Sequence, residues 1–202
     1  PPRHQSPLAT AAAALGALGA TPGSLAAEQR RMSAKFLQQG LVAEARIASE
    51  ARAAETGALL VHAYDQPEVL AGQGTVAAEF EEQAPELTHL LVAVGGGGLI
   101  GGIAAWHAHG HADRGVEVVG VEPEGCPALS AALQAGRPTP VPVGGIAADS
   151  LGAKRIGALA FAVARRHVAA SVLVPDAAIR AAQRVLWNAA RVVAEPGGAA
   201  AL

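Results

Sequence analysis

The chain has 202 residues, a formal net charge of −2, 51% hydrophobic residues and only 3% aromatic ones. That length can bury a real core without disulfides or a structural metal, and a composition rich in Ala and Gly belongs to an α/β protein packed from Ala, Val, Leu and Ile rather than to a fibrous or disordered chain. The scattered basic residues leave no electrostatic footprint for nucleic acid or an anionic membrane, and the lone Cys126 has no partner for an internal disulfide.

Residues 1–57 are rich in Ala, Arg, Glu and Gln and lack a β-branched run. They predict helices at 8–18, 24–39 and 41–56, with Gly19, Pro22, Gly23 and Gly40 as breaks. From Ala58 onward short apolar runs alternate with helical stretches. Strands are expected at 59–61, 88–94, 116–121 and 171–174, and helices at 67–84, 99–109, 127–135, 154–167 and 176–190. The strands at 88–94 and 116–121 read as apolar on both faces, which calls for a parallel sheet covered by βαβ crossovers. The expected class is therefore α/β, an open parallel twisted sheet flanked by helices. The division in the chain is between an Ala-rich helical segment, 1–48, and an α/β domain, 49–202.

Charged residues, Gly and Pro interrupt the apolar stretches before they reach transmembrane length, and no leader pattern opens the chain. The expected location is the cytoplasm, with no membrane partner. The chain starts at Pro1 without an initiator Met and ends at Leu202 in what reads as a helix start, so truncation at both ends is expected.

The run Gly95-Gly96-Gly97-Gly98 follows the strand at 88–94 directly and opens an apolar helix. Four consecutive glycines are entropically costly for a simple turn. Bare main chain there lets successive N–H groups converge on one anion, and the helix N-terminus adds a partial positive charge. Phosphate is the natural guest, gripped by amides because the loop carries no Lys or Arg. Close packing alone is the competing explanation, and it predicts glycines pinned against neighbours. The spacing Gly96-x-Gly98-x-x-Gly101 also matches a dinucleotide fingerprint, with Glu122 near the place of a ribose-binding acid, so an NAD site stays open on spacing alone.

The run Leu91-Val92-Ala93-Val94-Gly95-Gly96-Gly97-Gly98-Leu99-Ile100-Gly101-Gly102-Ile103-Ala104 resembles the tetraglycine loop of fold-type II pyridoxal 5'-phosphate (PLP) enzymes, in particular threonine and serine dehydratases. Further blocks agree in order: His62-Ala63-Tyr64-Asp65, Gly72-Gln73-Gly74-Thr75, Val121-Glu122-Pro123-Glu124-Gly125, the stretch Gly144-Gly145-Ile146-Ala147-Ala148-Asp149-Ser150-Leu151-Gly152, and Glu195-Pro196-Gly197-Gly198-Ala199. The resemblance covers about residues 50 to 202 and implies an incomplete fold of the tryptophan synthase β type. It implies PLP as cofactor, with the amides of Gly95, Gly96, Gly97, Gly98 and Leu99 around its phosphate and Glu195 near its ring. An ordinary acid at a helix N-terminus is the other reading of Glu195. Glu122 and the Cys126 carbonyl match positions where some relatives hold a cation. The third ligand position is Ala128 here, so no metal is assigned.

The resemblance also implies parts that this chain lacks. PLP chemistry needs a lysine that bonds to the cofactor and moves the α-proton. In the family it lies in a Ser-Phe-Lys-x-Arg-Gly-Ala block well over a hundred residues before the glycine loop, whereas 94 residues precede Gly95 here. The only lysines are Lys35, read as a solvated helix residue, and Lys154, read as a basic residue at a helix start. No catalytic residue is assigned. The family's Ser-x-Gly-Asn-His loop has no counterpart, and its final strand would lie beyond Leu202. The implied reaction is ammonia-lyase chemistry on threonine or serine, giving a 2-oxo acid. A small amino acid is the implied substrate, and homo-oligomers are left open. The alternatives are a non-catalytic remnant or regulatory PLP-fold protein, and an NAD-binding domain.

Among the remaining candidates, His107-x-His109-x-His111 reads as a solvated helix end, because alternate residues do not share a helix face. Cys126 reads as a buried structural thiol. Ser150 lacks a nucleophile-elbow pattern, and Trp187 and Asn188 read as ordinary packing on an apolar helix.

Overall fold

A computed structural model describes residues 42–109 and 115–202. The expected helices at 8–18 and 24–39, Lys35 and His111 lie outside them. The chain divides into two units, Pro1–Leu60 and Val61–Leu202. The first contributes helix α1 (Val42–Thr56), ended by Gly57 at φ +67, whose N–H bonds the Ala53 carbonyl at 2.9 Å. The strand expected at 59–61 does not form. Leu59 is 78% exposed and Val61 63% exposed, and apolar run length alone does not supply a pairing partner.

The second unit is a three-stranded parallel sheet in the order β1-β2-β3, with β1 at His89–Ala93, β2 at Glu117–Pro123 and β3 at Ala170–Val174. Leu91 pairs with Val119 and Val121 with Val172, so β2 is the strand paired on both sides. Helix α2 (Pro67–Gln83) precedes the sheet and α3 (Gly98–Ala108) crosses from β1 to β2. Helices α4 (Ala128–Ala135), α5 (Ala148–Leu151) and α6 (Ala158–His167) lie between β2 and β3, and α7 (Asp176–Ala190) and α8 (Pro196–Ala199) follow. These bounds agree with the expected elements, with two refinements. The turns α5 and α8 are too short to leave a periodic pattern. Helix α6 starts at Ala158 instead of 154 because Gly157 is extended and the Asp65 carboxylate accepts the N–H groups of Ala158 and Leu159, each at 2.9 Å.

The main core gathers Leu90, Val92 and Val118 from the sheet with Ile100, Leu129, Ile156 and Phe161 from the helices and their approaches. Each fully buried Ile or Leu of this kind contributes about 1.5–3 kcal/mol. A second cluster, Ile179, Ala182, Ala147 and Ala199, meets Ala93 and Val174 at the carboxyl ends of the outer strands. The expectation that β1 is apolar and covered on both faces is therefore only half met. Leu91 is 54% exposed, because the second cluster reaches only the end of the strand.

Two other expectations are corrected. His107 is buried, not solvated, with Nδ1 3.8 Å from the Glu81 carboxylate, which also accepts the Trp106 indole N–H at 3.0 Å. The packing of α3 on α2 outweighs its position near the helix end; His109, two residues on, is exposed. Trp187 is 49% exposed, because α7 buries Ile179 and Ala182 on its inner face, and the Arg191 guanidinium lies 5.6 Å from the Trp187 ring centroid.

Helices α2 and α3 meet main chain to main chain. A Cβ on Gly102 would overlap the Leu70 carbonyl and come within 2.7 Å of the Gly74 nitrogen, whereas one on Gly72 would meet nothing within 4 Å. Alanine gains about 1 kcal/mol over glycine in a helix interior. Gly72→Ala should therefore raise stability by about 0.5–1 kcal/mol. Gly102→Ala should lower it by about 2 kcal/mol or more, since backbone cannot move aside as a flexible side chain can. Urea unfolding of the two variants beside the parent checks both signs.

Candidate functional site

In open parallel sheets the crevice outside the carboxyl ends of the strands is where ligands bind. Here it contains the loop from β1 to α3. Val94 ends the strand by donating to the Val121 carbonyl at 3.0 Å, Gly97 takes a left-handed turn at φ +92, and the Gly97 carbonyl receives the Gly101 N–H at 2.8 Å to start α3. The Gly96 carbonyl receives the N–H of Gly157 at 2.9 Å, which ties the loop to the start of α6.

All four glycines are pinned. A Cβ on Gly95 would lie 3.2 Å from the Leu151 backbone, and one on Gly97 would lie 2.8 Å from Ile156 and 2.9 Å from Ala160. A Cβ on Gly98 would lie 3.0 Å from Tyr64, and one on Gly96 would fall within the Tyr64 ring. The packing explanation weighed for this sequence thus holds at every position. It does not account for the amides. Among the described residues, none accepts a hydrogen bond from the main-chain N–H of Gly95, Gly96, Gly97, Gly98 or Leu99. Buried or half-buried main-chain donors left unclaimed are uncommon. Gly95 to Gly98 are four such residues in succession, and with the exposed Leu99 they make a candidate anion site at a helix N-terminus.

Neighbouring helix starts show the contrast. Asp65 holds the first N–H groups of α6. Glu122 holds those of α4, accepting from Leu129 at 2.7 Å and Ser130 at 2.8 Å, and the Ser171 hydroxyl donates to it at 2.9 Å. Among the described residues no side chain, of the N-cap Gly97 or from elsewhere, accepts from the first N–H groups of α3. The donor set there suits a phosphate ester, which brings the negative charge and the acceptor oxygens that α3 lacks, so the residues present fit PLP at this point.

Glu195 is the N-cap residue of α8, with an exposed side chain. It is joined to the loop through α5: a Cβ on Gly197 would lie 2.5 Å from the Ser150 hydroxyl oxygen, and Leu151 of the same turn touches Gly95. Lys154 is exposed, and its carbonyl accepts the Val141 N–H at 2.9 Å. Glu122 is wholly buried with both oxygens engaged, so it offers nothing to a ribose. Cys126 is buried, its thiol donating to the Gly144 carbonyl at 3.2 Å and its own carbonyl accepting from Ala128 at 3.0 Å. The residues around the loop to which the sequence reading gave no role are His62, Tyr64, Asp65, Ile156 and Ala160. The only signal for the first three was their place in a quoted motif.

An open parallel sheet flanked by helices, with a glycine loop leading from its first strand into a helix, is the fold of the fold-type II PLP enzymes. Residues 9–202 match the profile of the family described as "Pyridoxal-phosphate dependent enzyme", and the chain belongs to that family. It is 35% identical over 179 residues to the L-threonine ammonia-lyase of Thermotoga maritima, covering 88% of this chain and 44% of that protein. It is 39% identical over 150 residues to the biosynthetic L-threonine dehydratase of Salmonella typhimurium, covering 74% of this chain and 29% of that one. The structure of maize serine racemase superposes with a TM-score of 0.73 at 32% identity, covering 80% of this chain and 48% of that chain. The chain thus spans less than half the length of each. Nothing among these relatives supports the NAD alternative.

Burial pushes the Glu122 carboxyl above its ordinary value of 4.5, outweighing the hydrogen bonds from Leu129, Ser130 and Ser171 that pull it down. Between 4.5 and the raised value the folded chain holds a proton that the unfolded chain has released. The contribution of this group therefore falls as pH rises through that window. Glu122→Gln removes the titration, although its amide sets a donor against a main-chain N–H. The melting temperature of the parent, measured relative to the Gln variant, should decline as pH is raised from 4.5. A difference constant with pH would mean that the carboxyl titrates alike in folded and unfolded chains.

Proposed function

We propose that this chain is the PLP-gripping portion of an ammonia-lyase acting on threonine or serine, with the grip in residues 49–202, and that by itself it binds the cofactor without turning over substrate. The observation that carries the reading is the run of unclaimed amides from Gly95 to Leu99 at the uncapped start of α3. The threonine and serine enzymes among its relatives support the substrate class.

The N–H groups of Gly95, Gly96, Gly97, Gly98 and Leu99 hold the phosphate, reinforced by the α3 dipole, which is worth about 0.3–1 kcal/mol when exposed and more when buried. The bond from Gly157 to the Gly96 carbonyl fixes the loop. Glu195, joined to the loop through α5, would lie near the cofactor ring, as the family resemblance implies. Bound PLP supplies the electron sink for charge developing at the substrate α-carbon. Moving the α-proton needs a base, and neither Lys35 nor Lys154 has the family's Ser-Phe-Lys setting. A second reading, a non-catalytic or regulatory member of the family, differs from the first in whether the whole protein carries such a base. Among the described residues no helix is long and apolar enough to cross a membrane, in keeping with a cytoplasmic setting.

Equilibrium dialysis and ³¹P NMR test the grip. PLP should bind at least about tenfold more tightly than pyridoxal, which lacks the phosphate, a difference of about 1.4 kcal/mol. Equal affinity, or no PLP binding, removes the assignment of the loop. In the same preparation threonine should yield no 2-oxobutanoate, and measurable production would show that a base has been overlooked.

A further inference from the structure

His62 precedes a tight turn and sits inside its hydrogen bonding. Its ring Nδ1 accepts the main-chain N–H of Tyr64 at 3.1 Å and of Asp65 at 2.9 Å, and the His62 main-chain N–H donates to the Gln66 Oε1 at 2.9 Å. Since Nδ1 receives two donors, a neutral ring carries its proton on Nε2. The imidazole stands edge-on to the Tyr64 ring, with centroids 4.8 Å apart and planes at 88°. The side chains oriented by this turn reach the glycine loop by two routes. Tyr64 lies directly against Gly96 and Gly98. Asp65 caps α6, whose preceding residue Gly157 holds the Gly96 carbonyl.

We propose that His62 is a positioning residue for the anion cradle: by accepting the Tyr64 and Asp65 amides it sets the wall and the anchor that aim the N–H groups of Gly96, Gly97 and Gly98 at one point. The inference rests on the phosphate reading above for what the cradle holds, but not for how the cradle is shaped. An acceptor on the same branch of the side chain serves as well. Asn places Oδ1 where His places Nδ1 and makes the same contacts to following amides in Asx turns.

The test uses His62→Ala and His62→Asn beside the parent chain, with two readouts. One is the amide resonances of Gly96, Gly97 and Gly98 in ¹⁵N-labelled protein without ligand; the other is the affinity for PLP and for inorganic phosphate. His62→Ala should displace the three resonances and weaken both ligands by about tenfold, and His62→Asn should restore resonances and affinity. Unmoved glycine resonances in His62→Ala overturn the proposal, as does failure of Asn to restore them. If His62→Ala does not fold, the Asn variant decides alone: parent-like resonances and affinity uphold the proposal, and their loss overturns it. If the parent binds neither ligand while the resonances still move with Ala and return with Asn, the positioning role stands and the phosphate reading fails.

Discussion

The hydrogen bond from the Gly157 N–H to the Gly96 carbonyl, 2.9 Å long, joins the loop after the first strand to the segment that launches α6. It forms only because nothing projects from the loop. Tyr64, Leu151, Ile156 and Ala160 all come within contact of positions where a Cβ would stand. These neighbours arrive from three separate stretches of the chain, and the loop is where they meet. Main-chain contact of this closeness fixes peptide planes as well as positions.

The electrostatics of the second unit follow from the same geometry. Each helix that begins near the strand ends exposes N–H groups that must find an acceptor. Asp65 and Glu122 meet this need for α6 and α4 with carboxylates, and Glu122 does so although burial raises its pKa. Helix α3 is treated differently: among the described residues no carboxylate accepts from its first N–H groups. Helix α7, which follows β3, also has no side-chain cap; what sets the α3 start apart is its run of bare glycines, and the proposal that it holds an anion agrees with membership of a pyridoxal-phosphate dependent family.

Much of this was legible in the amino-acid order, for identifiable reasons. The three strands of the sheet and helices α2, α3, α4 and α7 follow from apolar runs and from Gly and Pro breaks, which act over a few residues. The glycine loop stood out because its entropic cost demanded a cause. Features that depend on distant partners were not legible. Asp65 shortens α6 from more than ninety residues away, Glu81 draws His107 inward from α2, and the strand expected at 59–61 fails for want of a neighbour. Tyr64 illustrates the limit: its motif was noticed, but only the fold shows that its ring occupies the space a Gly96 side chain would need.

A grip built from peptide N–H groups, as proposed for this loop, has a genetic consequence. Proline apart, no coded substitution deletes a main-chain donor, so the chemistry of this loop is invisible to ordinary single-residue change. Damage can enter only as distortion, through an added methyl that pushes against Tyr64, Leu151, Ile156 or Ala160. Tolerance at these positions is therefore governed by the room around the loop, and inherited variation that weakens the cradle will arise as readily in the neighbours as in the glycines themselves.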